Sequence, residues 1–72
     1  MYYEIKYKRD GVYTFSLATD VSIDEGNVVN VRHLSGKLRD YEMKDYTNFA
    51  VKYGDSMIYL YTQNRKDFKI HI

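Results

Sequence analysis

Apolar and polar residues alternate from the start of the chain. Tyr3, Ile5 and Tyr7 interleave with Glu4, Lys6 and Lys8, and Tyr13, Phe15 and Leu17 interleave with Thr14 and Ser16. A period of two marks half-buried strands, so the pattern predicts a hairpin with strands near 2–8 and 12–18. Two registers compete. A two-residue Asp10-Gly11 turn pairs Ile5 with Ser16 and Lys6 with Phe15, which mixes the faces. A three-residue loop, Arg9-Asp10-Gly11 with Gly11 left-handed, pairs Tyr7 with Tyr13, Ile5 with Phe15 and Tyr3 with Leu17. The second register collects every large apolar group on one face and is the one expected. Lys6, Lys8 and Arg9 then form the solvated side of the hairpin.

Residues 19–26 are rich in turn formers, and Ser22-Ile23-Asp24-Glu25 fits a capping box. The β-branched run Val28-Val29-Asn30-Val31 argues for a strand near 27–33, ended by Ser35-Gly36. Between 40 and 53 the pattern changes. Leu38, Met43, Tyr46, Phe49, Ala50 and Tyr53 fall within roughly 140° of a helical wheel, with Asp40 as N-cap and Gly54 at the left-handed C-cap position. This predicts a helix over 40–53. The rival is a hairpin in which Phe49, Val51 and Tyr53 alternate up to a Gly54-Asp55 turn. Strands near 56–62 and 67–72 close the chain around Gln63-Asn64-Arg65-Lys66-Asp67, pairing Leu60 with Ile70 and Ile58 with Ile72.

These elements predict one α+β domain over 1–72, a small antiparallel sheet with one helix packed on it. A small all-β barrel, SH3/Sm-like, is the alternative. The expected core includes Ile5, Phe15, Leu17, Phe49, Ile58, Leu60 and Ile70. A 72-residue chain has a small interior, which leaves little room for both a core and an enclosed catalytic pocket.

Composition narrows the function classes. Eleven Lys and Arg against ten Asp and Glu give a net charge of +1, too even for a dedicated duplex-DNA binder. With no cysteine, neither a disulfide framework nor a thiolate metal site is available. The start of the chain has no signal-like pattern, and no apolar run approaches the about 18 residues of a membrane span. The cytoplasm is the expected location.

No catalytic constellation emerges. His33 and His71 stand apart, the four serines lack a nucleophile-elbow context, and the four glycines are scattered singly, so no phosphate loop forms. Asp40, Glu42 and Asp45 interleave with Arg39 and Lys44 as on a solvated helix. The expectation is a non-enzymatic binder with no cofactor, no metal, no membrane and no small-molecule substrate.

Nine tyrosines with three phenylalanines and no tryptophan suit recognition, because tyrosine joins a large apolar body to a hydroxyl that tolerates water. If Ile58, Leu60, Phe68, Ile70 and Ile72 face the core, then Met57, Tyr59, Tyr61, Lys69 and His71 share the open face of the carboxyl-terminal hairpin. They are the expected partner-binding residues, with Tyr41 on the exposed side of the helix. A protein partner is expected first. Single-stranded nucleic acid, stacking on the same rings, is the alternative.

The short, proline-free, Tyr-, Lys-, Asp- and Asn-rich chain resembles early proteins of phages from low-GC bacteria, above all the modulator-of-repression antirepressors of temperate lactococcal phages. That resemblance implies a modulator that binds a repressor's DNA-binding domain and blocks operator binding. A second, local resemblance joins Leu34-Ser35-Gly36-Lys37-Leu38 and Lys44-Asp45-Tyr46-Thr47-Asn48-Phe49-Ala50-Val51 to the central strands of Sm-like RNA-binding proteins. It departs from them in having an amino-terminal hairpin in place of a helix and no following Lys-His pair. It implies RNA binding on an all-β fold.

Overall fold

The structure, a computed structural model, describes residues 2–63. They form six antiparallel strands: β1 Tyr3–Arg9, β2 Val12–Ile23, β3 Val28–His33, β4 Leu38–Glu42, β5 Asn48–Tyr53 and β6 Ser56–Thr62. The sheet order is β4-β3-β2-β1-β5-β6. A single 3-10 turn, Met43–Asp45, joins β4 to β5. The α+β expectation is therefore wrong and the all-β alternative fits.

The helix expected over 40–53 is instead strand, 3-10 turn and strand. Its apolar spacing explains the confusion. Tyr41, Met43, Tyr46, Phe49 and Val51 are all buried, at intervals of two, three, three and two. A 3-10 turn advances at three residues per turn, and placed between two period-two strands it mimics a helical face. Asp40 is no N-cap. It lies in β4 and accepts a hydrogen bond from Asn30 Nδ2 at 2.7 Å. Gly54, with φ of 62°, turns the β5–β6 hairpin as the rival reading required. The capping-box segment also forms no helix. Asp24 Oδ1 instead accepts from Gly26 N and Val28 N, at 2.8 and 3.2 Å, and shapes the β2–β3 turn.

In the first hairpin the two-residue turn prevails. Asp10 and Gly11 both have positive φ, 52° and 80°, the requirement of a type I′ turn whose twist matches the strands. Ile5 pairs with Ser16, Lys6 with Phe15 and Arg9 with Val12. The inner face of β2 thus carries Thr14, Ser16 and Ala18. These small groups leave the interior to rings from other strands. One buried polar atom results, Ser16 Oγ, which has no hydrogen-bond partner.

The sheet curls until its ends approach each other. Tyr41 on edge strand β4 has its ring centroid 5.5 Å from Tyr7 of β1 and 5.3 Å from Phe49 of β5. The link between β4 and β5 ties across the mouth of the curl: Met43 N donates to Asn27 O at 3.1 Å and Thr47 N to Lys8 O at 2.9 Å. Inside lie Ile5, Ala18, Val29, Val31, Tyr41, Met43, Tyr46, Phe49 and Val51. Of the expected core, Ile5 and Phe49 are buried and Leu17 is half-buried. Phe15, Ile58 and Leu60 are exposed, because the register and a bulge turn them outward. Ile70, the strand near 67–72 and its pairing with β6 lie outside the described residues.

Candidate functional site

The outer face of β2, β1, β5 and β6 is built from three cross-strand rows. Tyr13, Lys8, Asn48 and Thr62 form the first; Phe15, Lys6, Ala50 and Leu60 the second; Leu17, Glu4, Lys52 and Met57 the third. Successive members stand about 4.8 Å apart, the spacing of neighbouring strands. Tyr13, Phe15 and Met57 are 57%, 60% and 52% exposed. Lys6 Nζ and Lys8 Nζ each lie 5.2 Å from the Tyr13 ring centroid, so cations and ring form one cluster. In the middle, small Ala50 leaves a groove of about 530 Å³ bounded by Phe15, Met57, Glu4, Lys6 and Lys52.

Charge on this face is uneven. Lys6, Lys8 and Lys52 against Glu4 leave it +2. Beyond the bulge at Thr19 the same side of the sheet carries Asp20, Ser22, Val28, Asn30, Arg32, Leu38, Asp40 and Glu42, with charge −2. A protein of net charge +1 thus has a local excess of positive charge beside its exposed rings.

The expected site residues are scattered by the fold. Met57 is on the outer face as expected. Tyr59 and Tyr61 are half-buried and pack against the core, opposite Val51 and Phe49. Ile58 is the cause. Tyr53 pairs with Ser56 and Lys52 with Met57, but Val51 pairs with Tyr59, so Ile58 is an extra residue in a β-bulge. That single residue inverts the faces of β6, and Leu60 turns outward in place of the tyrosines. Burial also raises the Tyr59 phenol above its ordinary pKa, with Tyr61 adding to the effect. Tyr41, expected on an exposed helix, is buried in β4 and bonds His33 Nε2 through its hydroxyl at 2.7 Å. Lys69 and His71 lie outside the described residues.

Tyr13, Phe15, Lys6, Lys8 and Lys52 were not among the expected site residues. The signal that exposes the two rings is the Asp10-Gly11 dipeptide, since a type I′ turn fixes a register that leaves Phe15 and Tyr13 outside, beside Lys6 and Lys8.

A second polar pair sits at the far end of the curl. His33, half-buried, faces Tyr41 with Arg39 and Lys37 nearby. Desolvation first, then those two cations, lowers its pKa. The Tyr41 phenol is raised, chiefly by burial, and Arg39 lies 5.2 Å from its ring centroid. This bond joins β3 to β4 within their hairpin. Among the described residues there is no group of three or more His, Cys, Asp or Glu able to hold a metal ion, and no helix is long and apolar enough to cross a membrane.

No protein-family model, curated protein or solved structure significantly matches this chain.

Proposed function

We propose that the chain is a non-catalytic binding module that takes single-stranded nucleic acid on the outer face of β2, β1 and β5. One observation carries this reading: two exposed rings, Tyr13 and Phe15, stand in register with Lys8 and Lys6 on the neighbouring strand. Bases stack on rings and phosphates pair with ammoniums, and both contacts are indifferent to sequence. The even net charge is no objection, because a single strand a few nucleotides long meets the local field of +2 and not the whole molecule.

The competing role is to mask a regulatory protein, such as a phage repressor. It rests on composition and on the exposed Met57, Ile58 and Leu60. Apolar residues alone do not require the three lysines, which is why the nucleic-acid reading is preferred.

Fluorescence anisotropy with labelled single-stranded RNA and DNA oligomers tests the proposal. Phe15→Ala should weaken binding about 5- to 150-fold, the range of one stacked base, and Lys6→Gln/Lys8→Gln should weaken it further. Unchanged affinity in both variants, or capture of a protein partner without nucleic acid, would return the masking role to first place.

A further inference from the structure

We infer that the groove over Ala50 is a base-selective subsite that prefers guanine, with Glu4 as its specificity-determining residue. The inference rests on the nucleic-acid reading above and deepens it. Phe15 and Met57 form opposite walls and Ala50 the floor, with Lys6 and Lys52 at the rim. The Tyr13 ring already has two ammoniums beside it, whereas Phe15 makes no ring or cation contact among the described residues. Phe15 is thus the free stacking surface, and the about 530 Å³ beside it falls within the about 300–1,000 Å³ of small-ligand sites.

Glu4 supplies the selection. It is half-buried in the same groove, between Leu17 on β2 and Lys52 on β5. Its carboxylate makes no ion pair with Lys6 or Lys52 and no side-chain hydrogen bond among the described residues. An ionised carboxylate only accepts hydrogen bonds. Guanine presents two adjacent donors on its Watson–Crick edge, N1–H and the 2-amino group, which match the two carboxylate oxygens. Adenine and cytosine present one amino group. Uracil and thymine present one N–H between two carbonyl oxygens, which the carboxylate repels. The flanking lysines suit the phosphates on either side of the seated base.

The test uses uridine octamers with one central guanine, inosine or uracil, followed by anisotropy with the full chain. Guanine should bind about tenfold tighter than uracil, the scale of a good bidentate contact, and inosine, lacking the 2-amino group, should fall between. Glu4→Gln should abolish the guanine advantage without weakening uracil binding, since it removes a charge that repels phosphate. Circular dichroism should show that variant fully folded, as Glu4 lies outside the core. Equal affinity for all three octamers, with Phe15→Ala still damaging, would overturn the subsite and leave the nucleic-acid reading standing. A guanine preference that survives Glu4→Gln would also overturn it. No binding of any octamer at low salt would overturn both.

Discussion

Phe49 is wholly buried, with the rings of Tyr7, Tyr41 and Tyr46 at 5.5, 5.3 and 5.6 Å, while Phe15 stands 60% exposed. Truncating the first removes an aromatic from a packed interior, and Phe49→Ala should cost about 3–5 kcal/mol. Phe15→Ala should stay within about 0.5 kcal/mol of the parent, as surface changes do. Urea denaturation of the two variants checks both, and a large loss from Phe15→Ala would mean that its ring is structural. His33 gives a second prediction at this scale. Its folded pKa lies below the ordinary value of about 6.5, so the unfolded chain binds the proton more readily. The resulting stabilisation is complete above about pH 6.5 and is lost as pH falls through the lower folded value. Urea midpoints should therefore fall between pH 7.5 and pH 5.5 more in the parent than in His33→Gln. An identical pH dependence in both proteins would contradict the role given to that contact. Tyrosine was the residue least legible in the sequence. Tyr13 is exposed, Tyr41 and Tyr46 are buried, and Tyr59 and Tyr61 are intermediate, yet nothing in the residue type separates them.

At the scale of elements, turns and bulges decided what alternation alone did not. The strands near 2–8, 27–33 and 56–62 were legible, because a period of two and β-branched runs survive tertiary packing. Which face each strand buried was not. The expected three-residue loop maximised apolar area on one face. The Asp10-Gly11 turn instead left Phe15 outside and put Ser16 and Ala18 within, opposite the larger Ile5 and Tyr3 of β1. In β6, one bulged residue exchanged the tyrosines for Leu60. Between β4 and β5, a three-residue 3-10 turn shifted the phase of two strands and produced a false helical face. Backbone chemical shifts should show extended structure over 38–42 and 48–53. Gly11 carries the register of the first hairpin at φ of 80°, and a Cβ there meets nothing within 4 Å. Gly11→Ala is strained by backbone conformation alone and should destabilise by more than about 1 kcal/mol. A neutral outcome in urea denaturation would argue for a different turn.

The whole molecule separates its two jobs by face. The inner surface of the curl holds rings and aliphatics and no buried charged residue among those described; the outer surface holds Tyr13 and Phe15 among three lysines. Curling closes the interior with few residues, and the same curvature splays the outer side chains and opens the groove over Ala50. The candidate site was only partly legible in the sequence. Met57 was anticipated, but the rows that join β2, β1 and β5 exist only once the register is fixed. The most direct test of the nucleic-acid reading is the salt dependence of binding to a single-stranded octamer, measured by anisotropy from 25 to about 300 mM salt. Three lysines on phosphates predict that log K falls against log salt with a slope of about −2, from about −0.7 per phosphate contact on single strands. Lys52→Gln should reduce that slope by about 0.7. A slope near zero, unchanged in Lys52→Gln, would contradict the assignment of this face to nucleic acid.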